Sequence, residues 1–155
     1  MANKHSVSRV STEADFHAML DLFQDAFEDD HNYGRPDRPS SDYIRRLLHS
    51  ETFIGLILPG EGGRAVGALA AYVLHKFEKE RSEIYIYDLA VDLASRRQGV
   101  ATALIEELKS IGRQIGSYVI YVQADKGPED LPAQALYRKL GTEEDVFHYD
   151  IEVAS

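Results

Sequence analysis

Cysteine and tryptophan are absent from the 155 residues. Without thiols there is no disulfide framework, no thiolate metal site and no cysteine nucleophile. Long apolar runs are missing too: none approaches the ~18 residues of a membrane span. The opening MANKHSVSRV lacks the apolar stretch of a secretory signal, so the expected compartment is the cytoplasm. Neither G-x-x-x-x-G-K-[ST] nor G-x-G-x-x-G occurs, which excludes the two familiar glycine-rich phosphate loops. The six histidines are scattered without metal-ligand spacing, so no metal is expected, and His148 reads as a strand-face residue. Basic charge is in short supply: 17 Lys and Arg against 26 Asp and Glu leave a net charge of −9. That balance argues against nucleic-acid binding and suits a small cationic ligand, although it also serves plain solubility. With 44% hydrophobic residues, the chain reads as one globular domain over 1–155.

What is present is organised around Ser82 to Thr102, SEIYIYDLAVDLASRRQGVAT. Its first half has the β-branched and aromatic content of a buried strand, and its second half is a polar turn leading into an apolar helical pattern. The first amides of a helix have no intrahelical partner and sit at the positive end of its dipole. Arg96 and Arg97 at such a start oppose the dipole, so an anion partner is expected there; solvated turn charges are the plainer alternative. Gly99 lets the chain bend and lets a phosphate approach the backbone. Gln98, Gly99, Val100, Ala101 and Thr102 would add N–H groups, with the Thr102 hydroxyl as a further donor.

Before this stretch, a short strand over 7–10 precedes a helix capped at Thr12, with Phe16, Leu20, Phe23 and Phe27 at helical spacing to about Glu28. Residues 28–41 read as a loop, and Ser41 as the cap of a second helix. Thr52 to Leu58 and Ala65 to Leu74 form a hairpin around PGEGGR. After Gly99 comes a helix marked at its end by Gly112 and Gly116. Ser117 to Gln123 is apolar on both parities, as in a central parallel strand, and completes a βαβ unit. A short helix over Ala133 to Leu140 and a last strand over Val146 to Val153 follow. The expected fold is α/β with a mixed sheet, in the order β-α-α-β-β-β-α-β-α-β.

Arg96-x-x-Gly99-x-Ala101 resembles the [QR]-x-x-G-x-[GA] signature of the GNAT superfamily of acetyl-CoA-dependent N-acetyltransferases, and the element order is similar to theirs. Further segments, among them GALAAYVL (67–74), RSEIYIYDLAV (81–91), YVIYVQAD (118–125), ALY-KLG (135–141) and the H-Y-D-I ending (148–151), resemble aminoglycoside 3-N-acetyltransferases of type I, YIYDLAV and YVIYVQAD being far more restrictive than the loop signature. The departures fall at the N-terminus, in 28–40 and in 126–134. The resemblance implies acetyl-CoA as co-substrate, direct transfer in a ternary complex, a 2-deoxystreptamine aminoglycoside as acceptor, antibiotic resistance as a role, and a possible homodimer. Another small cationic amine, such as a polyamine or amino sugar, is the alternative acceptor. A coenzyme A-binding module without useful turnover is the alternative of a different class.

An ammonium cannot attack a thioester, so such a reaction needs a base and an acid. By strict alternation Asp88 shares a face with Ile84, Ile86 and Ala90, where a poorly solvated carboxylate would be a suitable base. A bulge would instead turn it to solvent, or it is a structural acid that accepts backbone hydrogen bonds. Glu83 and Tyr85 are fallback bases or links in a water chain, and Glu83 is also a candidate acceptor ligand. The resemblance implies that Tyr137 protonates the departing thiolate, where packing alone would be its plainer use. Leu89, Ala90 and Val91 are expected to hydrogen-bond the pantetheine, with the Leu89 N–H as an oxyanion donor. Asp125, Glu144, Asp145 and Asp150 are the expected acidic wall for the acceptor, with Glu28, Asp29 and Asp30 as further candidates.

Overall fold

The computed structural model describes residues 6–27 and 33–154. Their contacts cluster in two compact units, Met1–Val122 and Gln123–Ser155. The first unit contains β1 (Ser8–Arg9), α1 (Glu13–Ala26), α2 (Ser41–Leu48), β2 (Phe53–Pro59), β3 (Ala65–His75), β4 (Ser82–Val91), α3 (Val100–Ile115) and β5 (Ser117–Val122). The strands lie side by side in chain order. All pair antiparallel except β4 and β5, giving the expected mixed sheet.

α1 starts where its cap dictates. The Thr12 side chain accepts from the Asp15 amide at 3.1 Å, and the Asp15 carboxylate accepts from the Thr12 amide at 3.3 Å, so two orphan donors are satisfied reciprocally. Its apolar stripe, Phe16, Met19, Leu20 and Phe23, is buried. The cap of α2 is Ser40, one residue before the Ser41 expected from sequence. The Ser40 hydroxyl accepts from the Tyr43 amide at 3.3 Å while Ser41 is already helical.

Two apolar layers sandwich the sheet. α1 and α2 pack on one face, over Phe53, Ile57, Ala68, Ala70 and Ala90. α3 covers the other with Val100, Leu104, Ile105, Leu108 and Ile111. Its approach depends on missing side chains, since a Cβ on Gly67 would lie 2.4 Å from Val100 Cγ1. Gly112 is an interior contact of α3, facing Ile84, rather than its end. The helix stops at Gly116, whose φ of +78° is open to glycine.

A bulge interrupts β4. Ile86 is opposite Ala71 and Asp88 is opposite Ala70, so Tyr87 is an extra residue on the β4 side. Ile84 and Ile86 therefore face α3, whereas Asp88 and Ala90 turn to the α1 and α2 face. Strict alternation is thus wrong at Asp88. A bulge is the alternative to strict alternation, but it leaves the carboxylate half-buried on the opposite face and not out in solvent.

β5 also departs from expectation. It is the terminal strand of the sheet, with Tyr118, Val119 and Tyr121 exposed, rather than a central one. The second unit contains a 3₁₀ turn at Pro128–Asp130 and α4 (Leu131–Leu140), which begins two residues before the expected start with Pro132 in its first turn. Val146 to Val153, expected to be a strand, forms none. Alternation supplies one apolar parity, but a strand exists only through its ladder. No described residue pairs with this segment, and Phe147 and Ile151 are 83% and 86% exposed.

Candidate active site

The parallel ladder between β4 and β5 ends at Ile86 opposite Val122, although β4 continues to Val91. Asp92 donates its N–H to the Val66 carbonyl at 2.8 Å, on the β3 side. Alternation then directs Ala90 to β3, and it turns the N–H and C=O of Leu89 and Val91 to the opposite edge, beyond the end of the β5 ladder. Of the three residues expected to bind by backbone, two are aimed outward and Ala90 is spent in the sheet. An extended amide-bearing chain can add along this edge as another strand would.

β4 leads through a 3₁₀ turn at Leu93–Ser95 to Arg96, Arg97, Gln98 and Gly99, and α3 begins at Val100. Gly99 is left-handed at φ 82°, and no side chain caps the helix. Arg97, at φ 61°, is the one non-glycine residue of positive φ among the described residues, a conformation that costs about 1 kcal/mol. The turn is braced locally: Arg96 Nε donates to the Val91 carbonyl at 3.4 Å, and Gln98 Nε2 to the Ala94 carbonyl at 3.2 Å. Among the described residues neither arginine makes an ion pair, and no acid occupies the first turn of α3. Ser8, Leu58, Pro59, Ser95, Gln98 and Val100 line a groove of about 420 Å³ beside this helix start. Uncapped amides, two guanidiniums and a glycine bend form a donor set that fits a diphosphate.

Asp88 lies on the sheet face opposite α3. Its Oδ2 accepts a short hydrogen bond from the Tyr33 hydroxyl. The Tyr33 ring packs on Phe23 and Phe27, with centroids 5.6 and 5.9 Å away. Its carbonyl accepts from Arg38 Nε at 3.1 Å, and Arg38, only 4% exposed in its side chain, also donates to Asp21 Oδ1 at 2.7 Å. His17 Nδ1 lies 3.3 Å from the same guanidinium. Further along the sheet, aromatic rings adjoin in series: Phe53, Tyr72, Tyr87, Tyr85 and Tyr121, the last two stacked at 4.7 Å. Burial pushes the Tyr72 phenol above its ordinary pKa, and Tyr87, Tyr43 and Asp88 add to the rise. Nothing in the sequence pointed to Tyr33 or Arg38, which lie in a polar loop; Tyr72 and Tyr87 were masked by their resemblance to ordinary strand residues.

The other candidate acids are placed as follows. Glu83, at the far end of β4 from Asp88, accepts from the Tyr118 hydroxyl and pairs with Lys76 at 3.7 Å, so it is engaged away from Asp88. In the second unit, the Asp125 amide donates to Asp130 Oδ2 at 2.9 Å, and its carbonyl accepts from Gln134 Nε2 at 2.6 Å, leaving the carboxylate exposed. Tyr137 is half-buried on α4, where its carbonyl accepts the Gly141 amide at 2.8 Å. Glu144 and Asp145 are exposed in an irregular stretch, and Asp150 Oδ1 lies 2.8 Å from His148 Nε2. Glu28, Asp29 and Asp30 lie outside the described residues. No group of metal-ligating residues occurs among the described residues.

Residues 16–142 match the model of the acetyltransferase (GNAT) family. The chain is similar to the crystal structure of an aminoglycoside acetyltransferase from an uncultured soil metagenomic sample, with 52% identity over 98% of this chain and all of that one, at a TM-score of 0.92. A second aminoglycoside acetyltransferase from an uncultured soil metagenomic sample, in complex with sisomicin, is 29% identical over 96% of each chain, at a TM-score of 0.83. The L-2,4-diaminobutyric acid acetyltransferase of Halalkalibacterium halodurans is 33% identical over 87 residues, which span 56% of this chain and 43% of that protein.

Proposed function

The chain belongs to the acetyltransferase (GNAT) family, and on that premise we propose that it moves acetyl from acetyl-CoA to the 3-amino group of a 2-deoxystreptamine aminoglycoside. What carries the proposal is the place of Asp88: a half-buried carboxylate at a bulge, beside the outward edge of Leu89 and Val91. The full-length likeness to an aminoglycoside acetyltransferase at 52% identity supports the acceptor class.

Acetyl-CoA, when bound, supplies the acetyl group as a thioester. The first turn of α3, with Arg96, Arg97 and the Gly99 bend, holds its diphosphate. The Leu89 carbonyl and the Val91 N–H align the pantetheine arm, and the Leu89 N–H polarises the thioester carbonyl. Asp88 takes a proton from the acceptor's ammonium, the amine's lone pair forms the new C–N bond as the C–S bond breaks, and the second proton shed by that nitrogen balances the one gained by the departing sulfur. On the family resemblance we assign to Tyr137 the return of a proton to the sulfur, and to Asp125 and Asp150 the charges that face the acceptor's other ammonium groups.

A smaller cationic amine is the second reading, favoured by the partial likeness to a diaminobutyric acid acetyltransferase. One experiment decides between them: incubate with acetyl-CoA and gentamicin, follow thiol release, and locate the acetyl group by NMR. Acetylation at N3 is expected. Acetylation at another nitrogen overturns the regiochemistry, and release with 2,4-diaminobutyrate but not with gentamicin overturns the acceptor class.

A further inference from the structure

Tyr33 is held as if its position mattered. It comes from the stretch between α1 and α2, yet it is fixed at three points. Its ring is wedged against Phe23 and Phe27. Its carbonyl is tied by the buried Arg38, itself anchored on Asp21 of α1. Its hydroxyl reaches β4, 55 residues away in sequence, and ends on Asp88 Oδ2. A half-buried tyrosine hydroxyl needs some partner, but this one is given the Asp88 carboxylate, and a buried guanidinium is a costly way to fix an idle loop.

We propose that Tyr33 is the positioning residue of the transfer reaction. Its O–H donates to the Asp88 carboxylate, fixes that side chain's rotamer, and keeps it ionised and ready to accept the proton of the acceptor's ammonium. This rests on the role given to Asp88 above. A donor to a carboxylate favours the charged form, so losing the hydroxyl raises the pH at which Asp88 ionises. On the sheet face of the pair, Tyr72 of β3 is within electrostatic reach of Asp88, and of Tyr87 of β4 and Tyr43 of α2. All three are phenols. His17, Asp21 and Arg38 lie behind the Tyr33 carbonyl and not at the carboxylate.

The test is Tyr33→Phe, which keeps the ring against Phe23 and Phe27; Tyr33→Met is the second variant should the first fold poorly. In the free protein, the Asp88 carboxyl carbon is followed by NMR and identified by its loss in Asp88→Asn. It is expected to titrate about one pH unit higher in Tyr33→Phe than in the parent protein. With substrates, the acidic limb of kcat/KM moves up by the same amount. On the plateau, kcat falls several-fold while the KM for acetyl-CoA holds. His17→Gln leaves the titration of Asp88 where it is, which separates the nearby imidazole from the effect. An Asp88 titration unchanged in Tyr33→Phe, with or without a lower Tm, overturns the inference. The NMR readout needs no substrate, so it is independent of which amine is accepted. Full activity in Asp88→Asn would remove the base proposed above, whereas an inactive Asp88→Asn beside an unshifted Tyr33→Phe would remove only Tyr33.

Discussion

The roles proposed for Asp88 and the two arginines are ones that single substitutions separate. Asp88→Asn keeps the shape of the side chain and removes the proton acceptor. Its kcat is expected to fall by about 10²- to 10⁴-fold with little change in the KM for acetyl-CoA, as steady-state kinetics would show. Arg97→Gly relieves a left-handed backbone worth about 1 kcal/mol, a gain offset by glycine's greater freedom in the unfolded chain. Its urea-unfolding free energy should therefore barely move, while the KM for acetyl-CoA rises about tenfold through loss of one charge-assisted bond to phosphate. Tyr72 gives a pH signature. Its phenol pKa is raised in the folded chain by burial first, then by Tyr87, Tyr43 and Asp88. The folded state thus holds that proton more tightly, and its contribution to stability is complete below the ordinary tyrosine pKa of about 10 and lost as pH climbs through the raised value. Unfolding measured across that alkaline range should weaken less in Tyr72→Phe than in the parent protein. The turn of Arg96, Arg97 and Gly99 ahead of α3 was legible in the sequence because a helix start and the residues that lead into it are neighbours in the chain. Tyr33 was not, since its partner Asp88 is 55 residues away, and no local pattern marks a tyrosine whose use is decided across the fold.

At the scale of elements, patterns that the backbone settles locally were the readable ones. Thr12 and Asp15 form the expected capping box, and Thr12→Ala is expected to cost about 1 kcal/mol in a urea titration. The helices and the hairpin fall within a residue or two of their predicted bounds, because apolar spacing and turn residues fix them. β4, β5 and Val146 to Val153 depart from expectation for reasons outside their own residues. The bulge at Tyr87 carries no glycine or proline to announce it; the register with β3 sets it, and it moves Asp88 from one apolar layer to the other. Val146 to Val153 has strand alternation without a strand, because the ladder that makes one must come from another segment. Gly67 shows the same dependence in reverse. It looks like a dispensable small residue in β3, yet a Cβ there would sit 2.4 Å from Val100 Cγ1. Gly67→Ala should therefore push on α3 and cost about 1–3 kcal/mol.

For the molecule as a whole, the net charge of −9 acts before any contact is made. A polycationic acceptor of the kind proposed would be drawn in by a field that salt screens, so kcat/KM for an aminoglycoside is expected to fall as NaCl rises. The fold's mixed sheet, like its family, was within reach of the sequence, because alternation and helical periodicity recur along the whole of the first unit. The parting of β4 from β5 after Ile86 was not, since it follows from where a parallel ladder gives out. That parting has a bearing on the amides of Leu89 and Val91. In the free protein nothing in the β5 ladder shields them, so deuterium from the solvent should replace their protons far sooner than those of Ile84 or Leu69. A pantetheine laid along the gap would act as a missing strand, and the slowing of that isotope exchange would record its arrival amide by amide.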